Sequence, residues 1–456
     1  MRPTKPPSLT PTSVPSPDVR YWEDTVVIAT YPYAAFLKEA YDEALGQFPY
    51  KAFDRDAYLS SHPRPRPQTY KRLNLENRYV HVSFLPELGG RLYQLIFRPT
   101  GSNELYQNPV VKPTHWGPTS PPRANWWLAV GGIEWGFPVD EHGYEFGVPW
   151  KYHWIQADDG YGVKLWDGGE GRPNVRVQAV LRENTAAVEL TFQIANPTAR
   201  EMPLKFWSNA MVAPGPANTL GSSFQFIYPI KQAVVHSTSD PDLPAPYKVF
   251  SWPLYKGRDF SYPTNWRGWV GFFAYPRAKQ SWAAVYDHNV NEGLVRLFPP
   301  TIVPGLKGFG FGNAISPSEW TDDGSTYAEV HGGIAPTFRD WKPLSPHSVL
   351  EWTETWYPIW QLGSITSADE RGAWSLSIEG NALDVAFFPT RPYQGTLALL
   401  LEDKVVWRRP VVIAPDTPWQ QTIRLDTKQP LPERVRITLT EGSRVLLEHE
   451  EDVRAQ

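Results

Sequence analysis

The chain is written in short alternations. Segments such as YVHVSFLP (79–86), AAVELTFQIAN (186–196), SWAAVYDH (281–288), LALLLEDKVVW (397–407) and RVRITLTEGSRVLLEHE (434–450) repeat apolar residues at every second position, many of them β-branched or aromatic. A period of two built from such residues predicts half-buried strands. The 47 prolines and 33 glycines interrupt the pattern every few residues, which favours short strands joined by turns. One window differs. AAFLKEAYDEAL (34–45) has apolar residues at helical spacing with charges between them, and it predicts a helix. The expected class is all-β with one or two short helices.

The alternation changes character near Leu362 to Ala368, just past the aromatic run WTETWYPIW (352–360). Downstream, over 363–456, aromatics thin out into a regular series of short strands, which predicts a small immunoglobulin- or fibronectin-like β-sandwich. Upstream, over 21–362, the strands are too many for a simple sandwich and show no solenoid or propeller period. They predict one very large sandwich of two extended antiparallel sheets. Residues 1–20 open with MRPTKPPSLTPTSVPSP, a Pro/Thr/Ser tether that stays extended. Such tethers follow a removed signal peptide or a lipid-anchored first residue. The expectation is an extracytoplasmic protein, secreted or lipid-anchored at the cell surface, with Met1 added for expression. No apolar run approaches a membrane span.

Composition narrows the partners. A formal net charge of −4 supplies no basic stripe for nucleic acid. The absence of cysteine excludes disulfides, thiol catalysis and thiolate metal sites. The chain holds 21 Trp, 22 Tyr and 21 Phe, more than a core needs, and many indoles adjoin polar residues: Trp135, Trp154, Trp166, Trp207, Trp266, Trp320 and Trp352. Indoles interleaved with carboxylates, amides and histidines suit carbohydrate, whose C–H faces stack on aromatic rings while its hydroxyls need planar polar partners. The expected partner is an oligo- or polysaccharide.

Four stretches carry candidate chemistry. In GGIEWGFPVDEHG (131–143) two glycines permit a tight turn before Glu134, which lies between Ile133 and Trp135. Desolvation there raises a carboxyl pKa toward a value useful for proton transfer, and His142 titrates near neutrality. The plainer alternative is a turn-capping glutamate and an exposed histidine. In STYAEVHGG (325–333), Tyr327, Glu329 and His331 share one strand face; a solvent-facing cross-strand pair is the rival reading. In AVYDHNVNEG (284–293), Asp287 and His288 end a strand, as site residues and plain turns both do. In MPLKFWSNAMVAPG (202–215), Trp207 and Asn209 share a face opposite Phe206, Ser208 and Ala210. Asn209 is there either a sugar-hydroxyl ligand or a satisfied buried amide. Glu351 and Glu354 stand among four tryptophans. No G-x-S-x-G elbow, phosphate loop or H-E-x-x-H occurs, and the ten histidines lack metal-ligand spacing. No cofactor is expected; Asp, Asn and backbone oxygens leave room for a structural Ca2+.

Taken in order, LENRYVHVSFLPELGGRLYQLIFRPTGSNELYQNPVVKP (75–113), GGIEWGFPVDEHG, ANPTAREMPLKFWSNA (195–210), VYDHNVNEG, VPGLKGFGFGN (303–313), YAEVHGG and WYPI (356–359) resemble a family of uncharacterised bacterial domains, sometimes fused to tetratricopeptide repeats, with the galactose-mutarotase-like fold. The resemblance covers about residues 24–360. It implies a supersandwich in which GGRLYQL (89–95) supplies a contact through Arg91 and YAEVHGG supplies the epimerase base through Glu329. The epimerase acid has no clean match; His288 is the nearest. Glu134 adds a second carboxylate, and two carboxyls across a sugar groove are the minimum for glycoside hydrolysis. The leading expectation is therefore a glycoside hydrolase acting on a neutral oligo- or polysaccharide. Glu134 and Glu329 would be catalytic, with Arg91, Trp135, His142, Trp207, Asn209, Asp287, His288 and His331 lining the groove. An aldose epimerase and a noncatalytic sugar-binding lipoprotein are the alternatives.

Overall fold

The alternating segments form strands. The computed structural model describes residues 19–114, 126–312, 314–425 and 432–452. Most of the expected tether, residues 1–18, lies outside them. A fourteen-stranded sheet and an eight-stranded sheet dominate the large domain, beside three two-stranded ones, and among the described residues pairing is antiparallel except where Arg20–Thr30 runs parallel to Gln107–Thr114. Five strands of the larger sheet matter most here. In spatial order they are Arg91–Phe97, Ile133–Gly136, Trp207–Val212, Ala328–Gly333 and Gly305–Gly310.

Alternation assigns the two faces of this sheet. Trp135 turns toward the eight-stranded sheet and meets Phe192 edge-on at 5.3 Å. Phe192 in turn packs on Phe206 and stacks on Trp352, which closes an aromatic layer between the sheets. Burying each such side chain contributes about 1.5–3 kcal/mol, so this layer holds the sheets face to face. Glu354 is buried in the same interior. It takes two bonds from Arg296, at 2.6 and 2.8 Å, and indole N–H bonds from Trp352 and Trp356. That carboxylate is structural. Glu351 lies on the exposed face and bonds Gln193.

The expected helix over 34–45 does not form. The segment is a 3-10 turn at Ala34–Phe36, a strand at Leu37–Asp42 and a second turn at Glu43–Leu45. Gly46 and Gln47 both hold positive φ and turn the chain back, so that Leu37–Asp42 pairs with Phe48–Phe53. The charges that looked like a helix surface bridge this hairpin and its flank, Lys51 to Glu39 and Lys38 to Asp54. A twelve-residue helix is marginal by itself, and cross-strand pairing outweighs it. Among the described residues the α-helix is Arg55–Ser60.

A second β domain follows, of two four-stranded sheets. Trp374, Phe387, Leu397 and Ile437 form its core. Its Ala373, Ala386 and Phe388 belong instead to the core of the large domain, where Phe388 meets Phe97 at 5.8 Å. The all-β class and the order of a large sandwich before a small one are as expected from the sequence.

Candidate active site

Register builds the site. Glu134, Asn209, His331 and Lys307 are successive cross-strand partners, so they form one polar row across four strands. The row lies on the face turned away from the eight-stranded sheet, opposite Trp135. Glu329 stands two residues from His331 and shares that face.

Gly131 and Gly132 make the bend that brings Trp127 back over this face. Both have left-handed φ, +94° and +77°, and a Cβ at Gly132 would lie 2.3 Å from the Leu92 carbonyl oxygen. Trp127 Nε1 donates to both Glu134 oxygens, at 3.1 and 2.9 Å. His142 Nδ1 and Asn209 Nδ2 also reach Glu134 Oε1, and Arg91 Nη2 lies 3.4 Å from Oε2. Glu134 is 1% exposed. Burial alone would raise its pKa, but the His142 and Arg91 charges and the Trp127 bond outweigh that and hold it below the usual carboxylate range.

His142 is the first beneficiary. Its ring stacks on Trp127, with centroids 4.2 Å apart, and Nδ1 is fixed by Glu134. Burial pulls the imidazole down; the adjacent Glu134 carboxylate more than offsets this and raises its pKa. The residue lines a cavity of about 280 Å³. The cavity walls include Trp127, Trp269, Phe309, Phe311 and Trp320, and the polar side chains are Glu141, His142, His236, Lys307 and Glu329.

Glu329 is held from one side. His331 Nε2 lies 2.8 Å from Oε2, and Lys307 Nζ lies 3.6 Å from the same oxygen. Lys307 is also 3.1 Å from His331 Nε2, yet one ring nitrogen cannot donate to a carboxylate and accept from an ammonium. The shorter bond to the carboxylate assigns the proton to Nε2. Burial would raise the Glu329 pKa, but the His331 bond and the Lys307 charge bring it down to about 2. Burial and Lys307 together lower His331 to about 3, so it is a neutral donor. Both contacts to Glu329 fall on Oε2, and Glu329 lines the cavity. The site thus presents to one enclosed space an ionised carboxylate and an imidazole whose protonated form its neighbours favour.

Several expected site residues lie elsewhere. Arg91 is fully buried and ties Leu88, Gly131 and Phe146 carbonyls together behind Glu134, so it cannot touch a substrate. Trp135 belongs to the inter-sheet core because alternation puts it opposite Glu134. Asp287 and His288 are on the eight-stranded sheet, where Ser223 bonds Asp287 and the His288 nitrogens meet Gln225 and Gly363. Trp207 is on the correct face but fully buried, covered by Phe338 at 4.8 Å. Asn209 and His331 are fully buried and bond Glu134 and Glu329 without lining the cavity. Glu134 is saturated and does not line it. Tyr327 packs behind the wall against Phe311 and Trp320.

The sequence reading missed Glu141, His236, Lys307 and Trp127. Glu141 adjoins His142 within a quoted motif, and a lysine inside the glycine-rich strand Gly305–Gly310 is itself a signal. His236 in VVHSTSD had none. Larger creases of 520 and 890 Å³ run where the second domain meets the eight-stranded sheet. Their charges are largely paired, Asp369 with Arg371 and Glu189 with Arg182, so the smaller cavity is the better candidate. Among the described residues no cluster of three or more His, Cys, Asp or Glu could hold a metal ion.

The fold and site define a two-sheet β-supersandwich protein with an aromatic-walled pocket holding charged side chains on one outer face. Residues 42–359 match the domain of unknown function DUF5107, and the chain belongs to that family. Residues 367–452 match the second domain of YphG-like proteins. A tetratricopeptide-repeat-containing protein from Parabacteroides distasonis shares the fold at 21% identity and a TM-score of 0.61. That match covers 75% of this chain and 55% of the other. The chain is also similar to a galactose mutarotase-like protein from Clostridium acetobutylicum, at 14% identity and TM-score 0.43 over 64% of this chain and 96% of that one. A galactose mutarotase related enzyme from Lactobacillus acidophilus matches at 10% identity and TM-score 0.41, over 62% and 95%. The family and fold expected from the sequence agree with these findings.

Proposed function

We propose that the protein is a carbohydrate-processing enzyme that catalyses anomeric exchange of a monosaccharide, with Glu329 as base and His142 as acid. The observation that carries this reading is that Glu329 and His142 line one cavity, each anchored through a single atom, Glu329 Oε2 by His331 and His142 Nδ1 by Glu134. At 280 Å³ that cavity lies just below the span of drug-sized ligand pockets, which start at roughly 300 Å³, and suits one sugar ring rather than a polymer. In the reaction, Glu329 removes the proton from the anomeric hydroxyl while His142 protonates the ring oxygen and the C1–O5 bond breaks. Rotation about C1–C2 and reclosure, with both protons returned, gives the other anomer. Glu134 acts by positioning His142.

The expected glycoside hydrolase, resting on Glu134 and Glu329, loses its first carboxylate because Glu134 is saturated by donors. One observation supports hydrolysis in another form: Glu141 lines the same cavity, and burial raises its pKa. The experiment is NMR exchange spectroscopy on free aldoses, run beside a reducing-end assay on oligosaccharides. Anomeric exchange that falls about 10²–10⁴-fold in Glu329→Gln supports the proposal. New reducing ends without exchange would select hydrolysis, and binding without either product would leave a sugar-binding protein.

A further inference from the structure

The strand Gln232–Thr238 slips register against Val270–Ala274 between Val235 and Ser237, which makes His236 the extra residue of a β-bulge. A bulge sacrifices regular pairing to re-aim one side chain. Here the re-aimed ring lines the cavity. Room for it exists because residue 271 is glycine: a Cβ there would come 2.9 Å from His236 Nδ1. Phe273 and Phe338 hold the ring edge-on at 5.4 and 5.0 Å, and Ser237 Oγ lies 3.1 Å from Nδ1. Only Nε2 remains, and it faces Glu141 Oε1 at 3.8 Å.

Glu141 also reaches this point through an irregular backbone. Its φ is +55°, in the left-handed region that costs a non-glycine residue about 1–3 kcal/mol. Two independent backbone distortions therefore converge on one gap. The fold gains no bond from it, since 3.8 Å is too long for a hydrogen bond. Nor does it gain an ion pair: burial and the Lys307 charge keep the His236 imidazole neutral, and burial raises the Glu141 carboxyl. Both side chains keep some access, 16% and 26% exposed. An oxygen about 2.8 Å from each atom would complete both hydrogen bonds.

We propose that His236 and Glu141 form a two-point clamp on one hydroxyl group of the bound sugar, and that this clamp selects among hexose epimers. The inference rests on the monosaccharide reading above. A hydroxyl both donates and accepts, so it satisfies both partners; the epimer with that hydroxyl inverted leaves both unpaired in a buried site.

The test measures kcat/KM for anomeric exchange of D-glucose, D-galactose, D-mannose and D-allose by wild type, His236→Ala, Glu141→Gln and His236→Gln. Wild type should prefer one epimer over the poorest by at least about tenfold. His236→Ala should lower the preferred sugar about tenfold or more and bring all four within about threefold, with the poorest sugar little changed. Glu141→Gln should compress the ranking in the same direction, and His236→Gln, which keeps a hydrogen-bonding group, should restore part of it. Thermal melts identify a variant that fails to fold, in which case the remaining two decide. Equal slowing of all four sugars in folded variants, or an unchanged ranking, overturns the clamp. A wild type that exchanges all four equally also overturns it while leaving the site reading intact. A wild type that exchanges none removes the site reading, and the clamp with it.

Discussion

Glu134→Gln separates a catalytic carboxylate from a structural one. The substitution keeps the shape and one acceptor oxygen, so part of the Trp127 and Asn209 bonding survives. It removes the charge beside Arg91, a fully buried guanidinium whose other partners are the neutral carbonyls of Leu88, Gly131 and Phe146. Removing one partner of a buried ion pair costs about 3–5 kcal/mol, and the surviving amide bonds favour the lower end. With a urea slope of about 3 kcal/mol/M for a domain of this size, the midpoint should fall by about 1 M. The second readout is the His142 ring, followed by NMR through pH. Its pKa is raised because Glu134 outweighs burial, so without the carboxylate burial prevails and the value should fall. A variant with the wild-type urea midpoint and wild-type His142 titration, yet no turnover, would refute this reasoning and return Glu134 to the chemistry.

Three further outcomes follow from the same geometry. The exchange rate should decline on the alkaline side at a pH above 6.5, because a raised His142 pKa keeps the acid protonated below that value and loses it as pH rises through the folded value; the limb should move to lower pH in Glu134→Gln. Glu104 is buried against Glu292 and its oxygens meet no donor among the described residues; burial first and then Glu292 raise its pKa well above normal. Stability held by that proton is complete below about pH 4.5 and declines as pH rises toward the folded value, by about 1.4 kcal/mol per pKa unit, so Glu104→Gln should melt higher than wild type at pH 8 and equal to it near pH 4. Gly132→Ala forces a Cβ to 2.3 Å from the Leu92 carbonyl at a positive φ, and denaturant melts should show a loss greater than about 1 kcal/mol.

The sheets were legible because period-two alternation is a direct record of which face is buried. Trp135 shows where that record was misapplied: alternation around Glu134 already put the indole on the opposite face, and its polar neighbours in sequence assigned it to the groove instead. Segment 34–45 failed for a different reason. Its spacing satisfies a helix and its strand partner lies beyond a turn, so local periodicity could not weigh the two. Glu134, Glu329, His142, Asn209 and His331 were found by residue type and do gather on one face, through register that a sequence does not display. What residue type could not separate was a saturated carboxylate from an open one. Glu134 and Glu329 both look like acids beside apolar neighbours, and only their donors distinguish them. His236 was invisible because a bulge, not a motif, brings it to the cavity.

The apolar layer that Phe388, Ala373 and Ala386 share with Phe97 means that the two matched segments are separable by homology but not by solvent. A fragment ending at Leu362 would lay Phe97 and Trp360 open to water and invite self-association along that scar. Grafting either half onto another protein calls for a donor that supplies the missing oily surface, or for repainting it with polar side chains first.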